Sequence, residues 1–452
     1  MAEELTVVLA GRKAGSISRL SRYSEPSFTY DEQYLRTGNV PLSTRIPLAP
    51  GVVAPNRLAP FLDGLLPENE PTRQRWAANL EAEDTTAFAL LSRMGWDCPG
   101  AVQFARTEEV DGMLARGDEF EPASDKEIAE RLANLRQDSA SWTLPEEHWS
   151  LAGQQEKFAL ARKDGHWYTA RGSAPTTHIF KPGIGRLHHQ ALVEYATMKA
   201  AYDCGVDVAE VELAAFGDEV ALVIERFDRI DVAGTIRRVH QEDFCQATGR
   251  LPDNKYEIHH GPGLGAMAGI VRSWSTDVVN DRWALADFIA INYVAGAPDG
   301  HSKNISLALW PGDTHIAPLY DLATAFPYDG AGLKSVAVSI GGRRDFGKVL
   351  GKHWDRAART IGIEPERLRH RVADLAGAFP DAFADNLAGL GSQEAKSLRA
   401  RAMPRLQAHV HQLTSRLDDP VEPAAGRSRS TDRGAEQGME QGLEQGLETH
   451  RE

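Results

Sequence analysis

The chain has 452 residues, 42% of them hydrophobic and 25% charged, which is enough for a large core and roughly two or three domains. Its formal net charge of −14, from 50 Lys and Arg against 64 Asp and Glu, excludes bulk electrostatic attraction to nucleic acid as the basis of its function. The scattered cysteines Cys98, Cys204 and Cys245 exclude a disulfide framework, the acidic start M-A-E-E-L-T-V-V-L-A-G lacks the features of a secretory signal, and no apolar run approaches a membrane span, so a reducing cytoplasm is the expected location.

In chain order, residues 1–110 read as a β-rich subdomain with inserted helices. Strands at 5–10 and 16–20 flank the hairpin signal G-R-K-A-G, and a third strand follows at 26–30. Helices are expected at 58–66, 72–80 and 87–94, then a strand at 100–104. Residues 111–149 read as a connector, polar at first, with one helix opened by the capping box Ser124 to Glu127. From residue 150 the pattern changes. Strands at 158–162, 167–171 and 177–181, a helix at 187–202 and a strand pair at 211–216 and 220–227 make a β-rich lobe, 150–228. Residues 240–294 and 344–417 read as mostly helical, within a helical lobe spanning 229–417. In 418–452, E-Q-G-M-E-Q-G-L-E-Q-G-L-E repeats with period four. Glycine every fourth residue opposes a helix by roughly 1 kcal/mol each, so this acidic tail is expected to be disordered or marginally helical.

The chemistry concentrates in A-P-D-G-H-S-K-N-I-S-L. Asp299 and Asn304 stand five residues apart, and Asp321 follows in I-A-P-L-Y-D-L-A. An apolar helix over 281–294, ended by Gly296 and Pro298, leads into this loop. A strand at 305–310, the turn Pro311-Gly312-Asp313 and a return strand at 315–320 then deliver Asp321 to the same edge as Asn304. Protein kinases use this order. The first Asp orients the substrate hydroxyl and accepts its hydrogen bond. The Asn and the second Asp hold Mg²⁺ against the ATP phosphates. Lys181 ends the strand of T-H-I-F-K-P, upstream of a helix bearing Glu194, where a kinase places its phosphate-contacting Lys and the Glu that holds it. S-L-A-G-Q-Q-E-K, from Ser150 to Lys157, occupies the place of a phosphate-covering loop, although it is neither G-x-G-x-x-G nor a Walker loop. Gly261 to Gly265 (G-P-G-L-G) lacks a βαβ setting and reads as a structural loop, and the pairs His188-His189 and His259-His260 read as surface histidines.

Several of these stretches together resemble the HipA toxins: S-L-A-G-Q-Q-E-K-F-A-L, T-T-H-I-F-K-P, V-I-E-R-F-D-R, Q-E-D-F-C-Q-A, K-Y-E followed by G-P-G, D-G-H-S-K-N-I-S, and, near the N-terminus, F-L-D-G-L-L-P-E-N and G-A-V-Q-F. The resemblance spans about residues 4–417. It implies an α/β (α+β) fold: a protein-kinase-like, two-lobed domain with an N-terminal β-rich subdomain and an all-helical C-terminal lobe. It implies an ATP- and Mg²⁺-dependent serine/threonine kinase, the toxin of a type II toxin–antitoxin module. The implied target is an aminoacyl-tRNA synthetase, the glutamyl enzyme first, whose phosphorylation blocks translation and causes growth arrest or persistence. The implied partner is a HipB-like helix-turn-helix antitoxin, with operator DNA reached only through that complex.

By the same resemblance Asp299 is catalytic, and Asn304 and Asp321 bind the metal. Ala152, Gly153, Gln154, Gln155, Glu156 and Lys157 form the phosphate loop. Lys181, His301, Ser302 and Lys303 meet the nucleotide phosphates. Glu225, Arg226 and Phe227 make the adenine hinge, with Tyr320 beside Asp321. Ser150 matches an autophosphorylated serine that displaces the loop. The chain has Ala297-Pro298 where eukaryotic kinases carry H-R before the catalytic Asp, and Tyr320-Asp321-Leu322 in place of D-F-G. Two rivals stand beside this reading. One is a kinase-fold small-molecule phosphotransferase, which shares the D-x-x-x-x-N plus Asp pattern. The other is a non-catalytic co-repressor partner of a DNA-binding antitoxin, which intact Lys181, Asp299, Asn304 and Asp321 disfavour.

Overall fold

Leu5, Val7 and Leu9 of the strand Glu3–Leu9 (β1) face one core while Val8 packs on Ala105, Val110 and Met113 behind it, so β1 is covered on both faces. The computed structural model describes residues 3–418 apart from 39, 116–117, 139, 144–146, 186 and 329–333; the tail expected to be disordered lies outside the described residues. Around β1, the strands Arg12–Arg19 (β2), Ser27–Tyr30 (β3), Val52–Val53 (β4) and Val102–Arg106 (β5) form an antiparallel sheet in the order β4-β3-β2-β1-β5, with Leu5 opposite Ile17. Helices Pro55–Gly64, Glu70–Asn79 and Ala87–Met94 bury Phe61, Trp76 and Leu91, in the region expected to carry inserted helices.

The second sheet has six strands: Glu119–Pro122 (β6), Phe158–Lys163 (β7), His166–Arg171 (β8), His178–Lys181 (β9), Val211–Phe216 (β10) and Glu219–Glu225 (β11), ordered β10-β11-β9-β7-β8-β6. β6 comes from the stretch expected to be a polar connector. It is a charged edge strand on β8, and its acids suit an edge that faces water. Phe158 and Phe180 stack at 5.0 Å in the middle of this sheet, and burying each such ring contributes about 1.5–3 kcal/mol.

A hairpin, Arg229–Val232 (β12) and Thr235–Arg238 (β13), follows. The last lobe is mainly helical but not all-helical, which corrects one expectation. His240–Asp243 (β14), Ser306–Trp310 (β15) and Asp313–Ile316 (β16) form an antiparallel sheet, and Ser335–Ile340 (β17) pairs with Arg343–Asp345 (β18). β14 lacks a strand-like alternation of its own and is held by its ladder to β15. Helices Phe244–Ala247, Leu264–Trp274, Val278–Val294, Gly351–Ile361, Pro365–Gly389 and Gln393–Leu417 make up the helical part of the lobe among the described residues. Among the described residues no helix is long and apolar enough to cross a membrane.

Candidate active site

The helix Val278–Val294 aims the central loop. Asp277 caps it by accepting from the Asn280 N–H (3.1 Å), and Leu285, Phe288, Ile289 and Tyr293 bury its faces. It ends because Gly296 adopts φ +64°, and a Cβ there would come within 2.2 Å of the Phe326 ring. Gly300 is equally constrained, since a Cβ would meet Asn292 Oδ1 at 2.3 Å. Asp299, fixed between these glycines, projects its carboxylate into a cleft of about 2220 Å³ between the six-stranded sheet and the helical lobe. The Asn304 Nδ2 donates to the Asp299 carbonyl (2.9 Å), which leaves the Asn304 Oδ1 free of that contact.

Asp321 reaches the same cleft by a shorter hairpin than expected. β16 ends at Ile316, Pro318 interrupts the ladder, and Leu319 bridges Val208 in parallel register instead. Asp321 itself sits at φ +59°, a left-handed conformation that Asp tolerates better than most residues. The hairpin is anchored because Asp281 of the long helix accepts the Ile316 N–H (3.0 Å).

From the opposite wall, Lys181 at the end of β9 places its ammonium between two carboxylates. It pairs with Glu194 (2.7 Å) from the helix Gln190–Asp203 and with Asp321. Gln190 donates to the other Glu194 oxygen (2.9 Å). Burial raises the Glu194 pKa, whereas the Lys181 ammonium overcomes burial at Asp321 and holds that carboxyl well below the usual range. Lys181 stays charged, its pKa raised by Asp321 and Glu194 against the cost of burial.

The phosphate-loop segment folds over this triad. Gly153 stands at φ +102°, and a Cβ there would approach Lys157 Nζ to 2.7 Å. Lys157 Nζ donates to the Ala152 carbonyl (2.7 Å), and burial, with the neighbouring Lys181 charge, pushes its pKa down to about 8. Gln155 reaches Gln190 (3.2 Å), and Gln154 and Glu156 also line the cleft. Lys303 pairs with Asp243 (2.7 Å), and His301 lines the wall with its Nδ1 buried and unpartnered; burial, then Lys255, lowers its pKa to about 3, so the ring is neutral near pH 7. At the far end, Phe227 stacks on Tyr320 (5.6 Å, 24°), making an apolar plate beside Glu225. The Arg226 guanidinium turns away into a buried network with Asp228 (2.9 Å) and Asp97, and its backbone N–H donates to the Thr177 carbonyl (2.9 Å), so its side chain does not face the cleft as a charge.

Two expected residues do not reach the cleft. Ser302 is fully buried and its Oγ donates to the Lys255 carbonyl (2.9 Å), because the tight turn between His301 and Asn304 points it at the protein interior. Ser150 is also fully buried, packed by the Cys98 thiol, with its N–H on the Asp97 carbonyl (3.0 Å); the segment enters the cleft only from Leu151 onward. Residue-by-residue reasoning also missed Tyr256, whose hydroxyl donates to the Asp299 carboxylate, and Lys255 and Glu68, which line the same wall. The signal was present in K-Y-E and L-P-E-N, which entered only as pieces of the resemblance. Asp299 is 63% exposed to the cleft, yet loss of solvation and the Asp321 charge raise its pKa, against the Tyr256 hydrogen bond and Lys255.

The donor set fits a nucleotide triphosphate with a hard divalent cation. An Asn oxygen and a carboxylate stand at the cleft floor, a backbone turn that only glycine permits lies above them, and ammonium groups flank both. The model of the HipA-like C-terminal domain matches residues 149–383, more than half of the chain, and that of the HipA N-terminal domain matches residues 5–105. The chain belongs to the HipA family. It is accordingly a serine/threonine-protein kinase of the HipA toxin class. This HipA-family kinase is 32% identical to Y4mE of Sinorhizobium fredii over 84% of its own length and 91% of that relative's. It is 29% identical to the serine/threonine-protein kinase toxin HipA of Shewanella oneidensis, covering 79% of this chain and 83% of that one. The solved complex of Shewanella oneidensis HipA and HipB with operator DNA matches with a TM-score of 0.79 at 25% identity, over 92% of this chain and 98% of the matched chain.

Proposed function

We propose that this HipA-family kinase transfers the γ-phosphoryl group of Mg-ATP to a serine or threonine of a protein target. The observation that carries the reading is the buried Lys181–Glu194–Asp321 triad facing Asp299 and Asn304 across one cleft. Asp299 orients the substrate hydroxyl and takes its proton as the oxygen attacks phosphorus. Lys181 holds the α- and β-phosphates, its position fixed by Glu194. Lys157 and the amides of 152–156 close over the triphosphate, His301 and Lys303 flank it, and the Phe227–Tyr320 plate with the hinge backbone of 225–227 receives adenine. Asn304 and Asp321 would hold Mg²⁺, which when bound neutralises phosphate charge.

The target class implied by the family resemblance is an aminoacyl-tRNA synthetase, the glutamyl enzyme first, so that charging stops, translation fails and growth arrests in the cytoplasm. The match to a HipA–HipB–operator complex supports a HipB-like antitoxin partner, and a chain of net charge −14 suits DNA contact made through that partner. Ser150 is proposed as the autophosphorylation site, with a mechanism adapted to its burial. A phosphate fits there only after the 150–157 segment leaves the cleft, so modification and ATP binding exclude each other.

Calorimetry separates the metal-linked role of Asp321 from a structural one. Asp321→Ala is expected to weaken Mg-ATP binding by about tenfold or more and to leave metal-free adenosine binding nearly unchanged. Equal losses for the two ligands would make Asp321 a structural residue. Phosphoproteomics after induced expression identifies the target, and an unchanged phosphoproteome in arrested cells would contradict the kinase-toxin reading.

A further inference from the structure

We propose that Glu68, far upstream of both catalytic lobes, is a positioning residue for phosphoryl transfer: it holds the Lys255 ammonium on the Asp299 side of the cleft while its backbone pins the phosphate loop at Gly153. The proposal rests on reading the cleft as a phosphoryl-transfer site.

The turn after helix Pro55–Gly64 is the part of the N-terminal region that enters the cleft. Gly64 must be glycine, since a Cβ would meet the Gln246 side chain at 2.5 Å, and its carbonyl gives Lys303 Nζ a second contact (3.3 Å). Pro67 then bridges Gly153 in parallel register, and the Glu68 N–H donates to the Gly153 carbonyl (3.0 Å). The phosphate loop is therefore tied by backbone to a segment that the kinase-like lobes do not supply.

The side chain of Glu68 does a second job. Its Oε2 meets Lys255 Nζ at 2.6 Å, with the two side chains only 3% and 8% exposed, and its Oε1 is buried without a partner. A half-satisfied buried carboxylate is costly. An apolar pair would pack more cheaply, so packing alone does not account for it. Lys255 explains the arrangement. Its carbonyl accepts from the Ser302 N–H (3.3 Å) and Oγ (2.9 Å) inside the catalytic loop. Its ammonium lies 5.6 Å from the centre of the Tyr256 ring, whose hydroxyl grips Asp299, and its charge acts on both Asp299 and His301. Lys181 and Lys303 take their carboxylates from the kinase-like lobes; Lys255 takes its own from the N-terminal region. During transfer, negative charge spreads over the oxygens of the moving phosphoryl group, and a fixed ammonium stabilises it more than a mobile one.

Glu68→Gln keeps the size of the side chain and the bond to Gly153 while deleting the charge. In the full-length protein, its rate of ³²P transfer from ATP to the acceptor that wild-type enzyme labels should fall about tenfold or more, with Mg-ATP affinity changed less than about threefold and the melting temperature nearly unchanged. Lys255→Met should show the same split. The double variant should be no slower than the slower single variant, and Glu68→Asp should recover part of the rate. A wild-type rate in Glu68→Gln, losses that multiply in the double variant, or affinity falling in step with rate would overturn the role. If Glu68→Gln does not fold, the rate-against-affinity split in Lys255→Met decides alone. A wild-type enzyme that transfers no phosphate refutes the underlying reading instead, which keeps the two failures distinct.

Discussion

Of the four lysines that line the cleft, Lys181, Lys255 and Lys303 each meet a carboxylate, whereas Lys157 has none within ion-pair reach among the described residues. Its ammonium rests on the Ala152 carbonyl, and burial, then the Lys181 charge, brings its pKa down to about 8. A triphosphate is the counter-charge this site lacks, and its arrival favours the protonated form. Below pH 8 Lys157 is charged with or without ATP. Above pH 8 the free enzyme has lost that proton and must regain it on binding. Mg-ATP affinity should therefore fall as pH rises from 8 to 9.5, with proton uptake visible as a dependence of the calorimetric heat on buffer ionisation enthalpy. Lys157→Met should bind more weakly at pH 7 and lose most of that pH dependence. A wild-type proton uptake retained in Lys157→Met would assign the titration to another group.

At the scale of elements, the segment 150–157 is the piece whose movement the account requires. It is held by backbone contacts at its start and its middle, Ser150 N–H to the Asp97 carbonyl and Gly153 carbonyl to the Glu68 N–H, and by few side-chain bonds besides, Gln155 to Gln190 among them. Ser150→Asp places a charge in a fully buried position against the Cys98 thiol, so it should lower Mg-ATP affinity and transfer by about tenfold or more, while Ser150→Ala keeps both. Near-neutral behaviour of Ser150→Asp would mean that the segment tolerates a charge without leaving. The elements that carry Asp299, Asn304 and Asp321 were legible in the sequence because their signals are local: an apolar helix, a glycine stop, a strand, a Pro-Gly turn. What stayed hidden was non-local. β6 is only four residues long, with Glu at two of them, and is a strand only because β8 offers it an edge, and β14 is a strand only through its ladder to β15. Glu68 stands 187 residues from its partner Lys255, and no window of sequence contains both. Ser302 and Ser150 were placed at the cleft by motif position alone, which says nothing of the direction in which a side chain points.

Across the whole molecule, buried charges tie the N-terminal region to the catalytic lobes. Asp97, from the loop before β5, receives Arg229 (2.8 Å) and Arg238 (2.9 Å), and Asp228 receives Arg226 (2.9 Å), directly behind the hinge. Glu242 on β14 accepts Ser43 Oγ and the Thr44 N–H, both at 2.7 Å, across about 200 residues of chain. Burial outweighs those hydrogen bonds and pushes its pKa up to about 7. A carboxyl raised in the folded state contributes stability that is present below its unfolded pKa and is lost as pH rises through 7. Glu242→Gln should thus match or trail wild type in Tm at pH 4.5 and gain on it by pH 8, by up to about 3 kcal/mol of relative stability. Parallel melting curves against pH for the two proteins would show that folding does not shift the Glu242 pKa. The integrated site makes one demand above the others, that Asp299 act on the substrate hydroxyl inside this cleft. The direct measurement is ³²P transfer from γ-labelled ATP, with growth after induced expression read in parallel, for wild type and Asp299→Asn at equal Tm. The account predicts that transfer falls by about a hundredfold or more and that growth arrest disappears; a folded Asp299→Asn protein that still transfers phosphate and still arrests growth would contradict it.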